Sequence, residues 1–350
     1  MLPALPFPIL LILFLAAAAV VWVASTQLSQ QTDLLAERWH LGQALAGLVL
    51  LAVVDDLPEV VIVISGALAN HLGLITGNLL GGIATQTVVL VLIDATVPER
   101  PLGYYAASMP LVLEGLQGIV VFSLVILATQ LPASLHVLRV DPGSVAIVGA
   151  WVVTTWLVSR ARAGLPWQPL PREPLPPKLA QAERDQETEQ ARVSTKRALI
   201  VFATAAVAIL VAGSALEESS SQLADHLGLG GIVFGATILA LATALPEVSA
   251  GYSAARSGHV ELAVSQIFGS NSFLPVLFLP AALLSGQVVL AGAGAPEIYL
   301  TGLGVLLTTI VLWGLLFRPS RQYWRLGPDS LLILLTYLLG IAGLIAVARQ

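Results

Sequence analysis

The sequence predicts an all-α polytopic membrane protein: ten transmembrane helices in two inverted five-helix repeats, with the second and seventh helices broken. Three observations carry this prediction. Of the 350 residues, 57% are hydrophobic and only 11% charged, whereas roughly a quarter of a soluble domain is charged. Apolar runs near the ~20 residues that a spanning helix needs recur along the whole length. The chain also repeats itself at an offset of 188: Leu57-Pro58-Glu59 returns as Leu245-Pro246-Glu247, Leu41-Gly42 as Leu229-Gly230, Gly47 as Gly235 and Gly81 as Gly269. Nine of the twenty positions of 41–60 and 229–248 are identical.

The spans are read at 4–24, 41–69, 72–93, 105–128, 143–159, 197–216, 229–255, 260–284, 297–317 and 330–347. No basic residue precedes the first, so it is expected to be a retained span, since a cleaved leader carries a basic start. The second and seventh are long, and each holds a proline at its middle. The third and eighth carry Gly-Asn-Leu-Leu-Gly-Gly (77–82) and Ser-Gln-Ile-Phe-Gly-Ser-Asn (265–271). The fourth holds Glu114 in its interior. Between the fifth and sixth lies the one long polar stretch, 160–196, proline-rich from Pro166 to Pro177 and charged from Lys178. It reads as a cytoplasmic tether between a first half, 1–159, and a second, 197–350. Five spans per half is odd, so the second half enters the membrane upside down, and inverted repeats of this kind place a transport site at their interface.

Ten spans put fourteen of the sixteen Lys and Arg on one side, leaving Arg139 and Arg349 on the other. The positive-inside rule makes the first side cytoplasmic and both termini external, as in a bacterial inner membrane. With no cysteine, disulfides and thiolate metal sites are excluded. No basic stripe suggests nucleic acid. The expected partners are the lipid bilayer and inorganic cations, with no organic cofactor; the formal charge of −5 says little beyond this.

A charge at membrane depth costs roughly 2.5–3.5 kcal/mol on insertion scales, so two matched glutamates read as an ion pathway. Proline cannot donate to the carbonyl four residues back. Pro58 and Pro246 are therefore expected to free the carbonyls of Val54 and Ala242, with unwound backbone over 52–57 and 240–245. Carboxylate and carbonyl oxygens together suit hard cations such as Na⁺ and Ca²⁺. The glycines suit close helix approach, while Asn, Gln and Ser supply neutral oxygens.

Duplicated Leu-Pro-Glu, followed twenty-two residues after each Glu by Gly81 and by Gly269-Ser270, resembles the α-repeats of sodium/calcium exchangers in the cation/calcium antiporter superfamily. The resemblance covers both repeats and the ten-span layout. It implies that Glu59 and Glu247 are the central cation ligands and that Thr243 and Ser270 are side-chain ligands. Ala52 and Ala240 fall where the family offers backbone carbonyls, and Gln86 where it has Asn or Asp. It also implies that spans one and six slide across a more static core, giving alternating access. The chain departs from the pattern in four places. Asp55-Asp56 replaces Thr-Ser, Ala244 and Gly82 each replace Ser, and Leu274 stands where an acid or amide is expected.

Hydroxyls suited to Na⁺ are thus lost while carboxylates are gained. Asp55, Asp56 and Glu59 cannot all stay ionised cheaply, so at least one is expected to hold a proton near neutrality unless a cation is bound. This points to a secondary antiporter of Ca²⁺, or a related cation, against Na⁺ or H⁺. Helical spacing sets Asp55 and Asp56 about 100° apart, so one of them can merely end the broken helix.

Glu114 reads equally as a proton site or as a hydrogen bond to a neighbouring helix. His71 and His259, matched across the repeat, read as interfacial residues, and Glu217-Glu218 near Asp225 as a solvated helix end. Trp22, Trp151, Trp156 and Trp313 read as interfacial or lipid-facing anchors. Two other classes stay open: a cation-binding sensor that does not transport, and an intramembrane hydrolase. The latter lacks His-Glu-x-x-His and any Ser-His pair, so no enzyme is expected.

Overall fold

The computed structural model describes residues 5–39, 45–132, 134, 141–164, 193–291 and 293–349. The first half holds α1 (Phe7–Trp39), α2 (Leu45–Asp55), α3 (Leu57–Ala69), α4 (Leu72–Asp94), the short α5 (Leu102–Ala106), α6 (Met109–Thr129) and α7 (Pro142–Ala163). The second begins with α8 (Thr195–Leu227) and α9 (Gly231–Phe234), then a π-helical turn (Gly235–Leu239), α10 (Ala240–Thr243) and α11 (Leu245–Arg256). It continues through α12 (Val260–Phe273), a 3₁₀ turn (Leu274–Leu277), α13 (Phe278–Ser285), α14 (Ala295–Phe317) and α15 (Pro328–Val347). Nine stretches of the described residues are helical, long and apolar enough to cross a membrane, and Leu57–Ala69 is a shorter apolar helix. Joined to α2 it makes the tenth span, the broken second one.

The repeat seen in sequence is a repeat of structure. Moving α1 along by 188 positions gives α8 end to end, and moving α6 places its last residue on Phe317, the last of α14. Hydrogen bonds define the two ends of the bundle. At one end Arg38 donates to Thr195 Oγ1 (2.8 Å) and the Val193 carbonyl (2.6 Å), and Ser108 donates to Glu261 (2.6 Å). At the other, Gln287 donates to Asn70 Oδ1 (3.0 Å) and the Leu5 N–H to Gln222 (3.4 Å). The first, which also carries Arg100, Arg162 and Arg256, is called the arginine-bearing end below, and the second the far end.

Helices α1 and α8 run well past the expected 4–24 and 197–216. Their continuations are polar, but Leu28, Leu34 and Leu35 recur at helical spacing and bury against α8 at Ala205, Ile209 and Ala198. Likewise α7 continues through Arg162, because nothing in Ser159–Ala163 breaks a helix before Gly164. The expected linker therefore yields its first residues to α7 and its last to α8, while 165–192 lies outside the described residues.

Unwinding is narrower than expected. Each broken helix is interrupted at a single residue, Asp56 or Ala244, the residue before the Leu-Pro pair. The carbonyls of Ala52 and Ala240 each accept from the N–H four residues on, at 3.1 and 3.0 Å. Proline at the second position of a new helix removes an N–H that would have no partner there, so the chain restarts its helix at once. A π turn at Gly235–Leu239 adds a second irregularity in the seventh span, a feature common near functional sites.

Helix α4 is buried nearly throughout, from Leu74 to Asp94. It crosses the π turn so closely that the backbone of Ile232 and Ala236 stands where a methyl on Gly77 or Gly81 would go. Around it pack α11, α12, α14 and α15, with Phe268, Leu307 and Ile310 in the core. Apolar side chains on the outside, such as Ile12, Val23, Val211, Trp313 and Leu339, are more than half exposed. On a chain of this hydropathy that is the lipid-facing surface of a multi-pass membrane protein.

Candidate functional site

The two breaks bring the repeated motifs together. Oxygens of Asp56, Glu59 and Glu247, one from each, lie within 4.8 Å of one another. Asp56 and Glu59 are each 1% exposed. Both Glu59 oxygens and Glu247 Oε2 are buried without a hydrogen-bond partner. Leaving a buried carboxylate unsatisfied costs several kcal/mol, so this arrangement needs a cation or protons to be stable. The two salt bridges found among the described residues, Arg162–Glu114 and His71–Glu217, involve none of the three acids.

Neutral oxygens surround them. Thr243 is buried, and its hydroxyl lies 3.4 Å from both Asn78 Oδ1 and the Ala240 carbonyl, either of which can accept its one proton. Ser270, from α12, contacts Asp56 and, at 3.0 Å, Gln86 Oε1 on α4. Asn271 donates to Thr87 Oγ1 at 3.0 Å and keeps Oδ1 buried and unpartnered. Asp55 stands apart: it is exposed and borders a cavity, while its neighbour Asp56 points inward. Thus Asp56, Glu59, Glu247, Thr243, Ser270 and Gln86 converge, whereas the carbonyls of Ala52 and Ala240 are each engaged in a helical hydrogen bond. Asn78, read from the sequence as a source of neutral oxygen but not as a site residue, joins the group through Thr243. The signal was its place one turn before Gly81–Gly82, on the face that meets the broken helix.

The cavity, about 870 Å³, leads from Asp56, Glu247 and Ser270 towards the arginine-bearing end, past Ser29, Gln117, Trp151 and Arg162. Glu114 lies on its wall, bonded to Arg162, which also donates to Ser265 at 2.8 Å. Of the two readings left open for Glu114, a bond to a neighbouring helix describes it. Arg162 was missed because span five was ended at 159. Trp151 is not a lipid anchor: it is 4% exposed, its ring centroid is 5.4 Å from that of Phe273, and Nε1 donates to Ser272. Trp22, Trp156 and Trp313 are exposed, in keeping with the expectation. Glu217 is not a solvated helix end, being 1% exposed and paired with His71 at 2.7 Å.

The sequence model of the family described as Sodium/calcium exchanger protein matches residues 9–160 and 197–346, which is most of the chain. This chain belongs to that family. Its members and structural neighbours are transporters, so the chain is not an enzyme, and the hydrolase reading falls away. Among characterised proteins, the putative antiporter CaxA of Alkalimonas amylolytica is 27% identical over 266 residues, spanning 74% of this chain and 76% of CaxA. The sodium/calcium exchanger MaX1 of Methanosarcina acetivorans is 38% identical over 64 residues, 18% of either chain. In fold, the family member superposes on the H⁺/Ca²⁺ exchanger CAX with a TM-score of 0.67 at 13% identity, covering 97% of this chain and 86% of that one. The sodium-calcium exchanger NCX_Mj gives 0.60 at 14% identity, covering 95% and 97%.

Proposed function

We propose that the chain is a secondary active antiporter that exchanges Ca²⁺, or a related divalent cation, against protons at the site formed by Asp56, Glu59 and Glu247. The observation that carries this is a set of three carboxylates, Asp56 and Glu59 buried and Glu247 half-buried, within 4.8 Å of one another and with no basic partner among the described residues. At an effective dielectric of about 20, each pair of charges at that range repels by on the order of 3–4 kcal/mol. A divalent cation offsets most of that repulsion. When it leaves, two protons restore the same charge balance, and the site is then ready to release them for the next cation. Solved exchangers of this fold are named for both H⁺ and Na⁺ coupling, so the fold does not choose between them. The residues support protons: where the family pattern has hydroxyls that would favour Na⁺, this chain has Asp56, Ala244 and Gly82.

Access is proposed to alternate, with α1 and α8 moving across the core formed by the other helices. The arginine-bearing end then lies in the cytoplasm by the positive-inside rule, and the cavity is the inward-facing path. The deciding assay is Ca²⁺ flux into proteoliposomes with a pH gradient and no Na⁺. Flux that follows the pH gradient supports the proposal. Flux that needs Na⁺ and ignores pH overturns it in favour of Na⁺ coupling, and Ca²⁺ binding without any flux returns the sensor reading.

A further inference from the structure

At the far end of the bundle α8 packs directly on α3, and one acid–imidazole pair sits at that contact, Glu217 buried and His71 a quarter exposed. Helix α8 lies on α3 through Gly213, where a methyl would come within 2.9 Å of Val61. One turn further on, Glu217 packs over Gly66, whose Cβ would meet its Oε1 at 3.0 Å. That oxygen is bonded to Nδ1 of His71, the residue before α4, at 2.7 Å. His71 is itself set by the α3–α4 turn, its N–H donating to the Gly66 carbonyl at 2.8 Å. Glu217 thus ties α8 to the corner where α3 meets α4.

The repeat exposes an asymmetry. At the offset of 188, Glu217 corresponds to Ser29, Gly213 to Ser25, Gly66 to Ala254 and His71 to His259. Ser25 and Ser29 line the 870 Å³ cavity at the opposite end. The helix crossings follow the same rule: Gly81 is jammed against Ala236, while no described residue comes within 4 Å of a methyl on its counterpart Gly269, which borders the cavity. One half is therefore closed by an acid–imidazole pair, and the other is open where the acid is replaced by serine.

We propose that His71 and Glu217 form a latch that holds the far end closed, and that α8 leaves the α3–α4 corner only when this pair parts. The proposal rests on the alternating-access reading above but not on the identity of the coupling ion. When the far end opens, the inverted arrangement sets Ser29 against His259. That contact cannot become a charge pair, so the chain favours the conformation described here. Glu217 and His71 act on the position of α8 and touch no transported ion.

The chain contains no cysteine, so single reporters can be introduced directly. Ser29→Cys reads the cavity and Ser65→Cys reads the smaller far-end pocket, which Ser65 lines with Ser214 and Glu217. Modification by a charged thiol reagent is measured in permeabilised membranes holding the full chain. Glu217→Gln is expected to raise the rate at position 65 at least about tenfold and to lower the rate at position 29, because the two populations of a two-state shift move in opposite directions. His71→Ala does the same, and the double variant goes no further than either alone. His71 is a quarter exposed, so its variant remains informative if Glu217→Gln does not fold. Rates that rise at both positions, or additive effects of the two substitutions, overturn the latch. Reporters that trade accessibility when Ca²⁺, Na⁺ or pH is changed, yet ignore both substitutions, overturn the latch alone. Reporters that ignore the ions as well overturn alternating access and the latch with it.

Discussion

Ser270 has one hydroxyl proton and two acceptors, an oxygen of Asp56 and Oε1 of Gln86 at 3.0 Å. It can donate to only one of them. With the Gln86 amide oriented as assigned, both contacts are satisfied together when Asp56 carries a proton and donates to Ser270, which then donates to Gln86. An ionised Asp56 takes the hydroxyl proton for itself and leaves Gln86 without a donor. The first and second halves of the chain thus meet in a hydrogen-bond chain that reads whether Asp56 is protonated.

Asp56→Asn tests this directly. Its amide can still donate to Ser270, so the hydrogen bonds survive while the exchangeable proton is gone. Proton-driven Ca²⁺ flux is expected to be largely lost, because the carboxylate that trades a proton for the cation is gone. Asp56→Ser restores the residue of the family pattern and is expected to shift the dependence from pH towards Na⁺. Asp55→Asn, at an exposed position on the cavity wall, is expected to stay within a few-fold of the unmodified chain. Equal losses at 55 and 56 would remove Asp56 from its assigned role.

Glu59→Gln and Glu247→Gln each remove a central charge. Either is expected to abolish flux and weaken Ca²⁺ binding, measured by calorimetry on the purified protein, while thermal stability in the absence of cation holds or rises. The sign follows from burial: both Glu59 oxygens lack a partner, and neutralising an unsatisfied buried carboxylate removes its desolvation cost. Lost stability in both variants would mean that the acids serve the fold instead.

Much of this was legible in the sequence because the repeat is legible. The 188 offset, the Leu-Pro-Glu pairs and the parity of spans gave the helix order and brought Glu59 and Glu247 into one site. What was hidden has physical reasons. Helix ends at Ser25–Trp39 and Glu217–Leu227 are polar but amphipathic, so a hydropathy reading stops short of them. The pairing of His71 with Glu217 depends on a contact across 146 residues and on Gly66 leaving room for it, and neither shows in the spacing. Proline suggested an unwound stretch, but one residue suffices for a helix to stop and restart.

The linker offers a prediction of absence. The 160–196 stretch is too short and too proline-rich for a folded calcium-sensing domain. Deleting 170–190 is therefore expected to leave flux and its Ca²⁺ dependence within about two-fold, since shortening a connection costs little while it still spans its ends. Loss of calcium activation in the deletion variant would assign the linker a regulatory role.

The glycines at the two helix crossings separate folding from transport. At Gly81 a methyl would collide with the backbone of Ala236, which cannot move aside. Gly81→Ala is expected to destabilise the conformation described here by about 1–3 kcal/mol, the usual range for overpacking. It is read as a lower melting temperature in detergent. At Gly269 no described residue lies within 4 Å, so Gly269→Ala is expected to leave that stability within about 0.5 kcal/mol. When access alternates, however, Gly269 takes over the crowded crossing that Gly81 occupies now. Gly269→Ala is therefore expected to cut Ca²⁺ flux at least about tenfold with unchanged melting and unchanged Ca²⁺ affinity, a stalled cycle in an intact protein. Full flux in Gly269→Ala would mean that the two halves do not exchange roles as the repeat predicts.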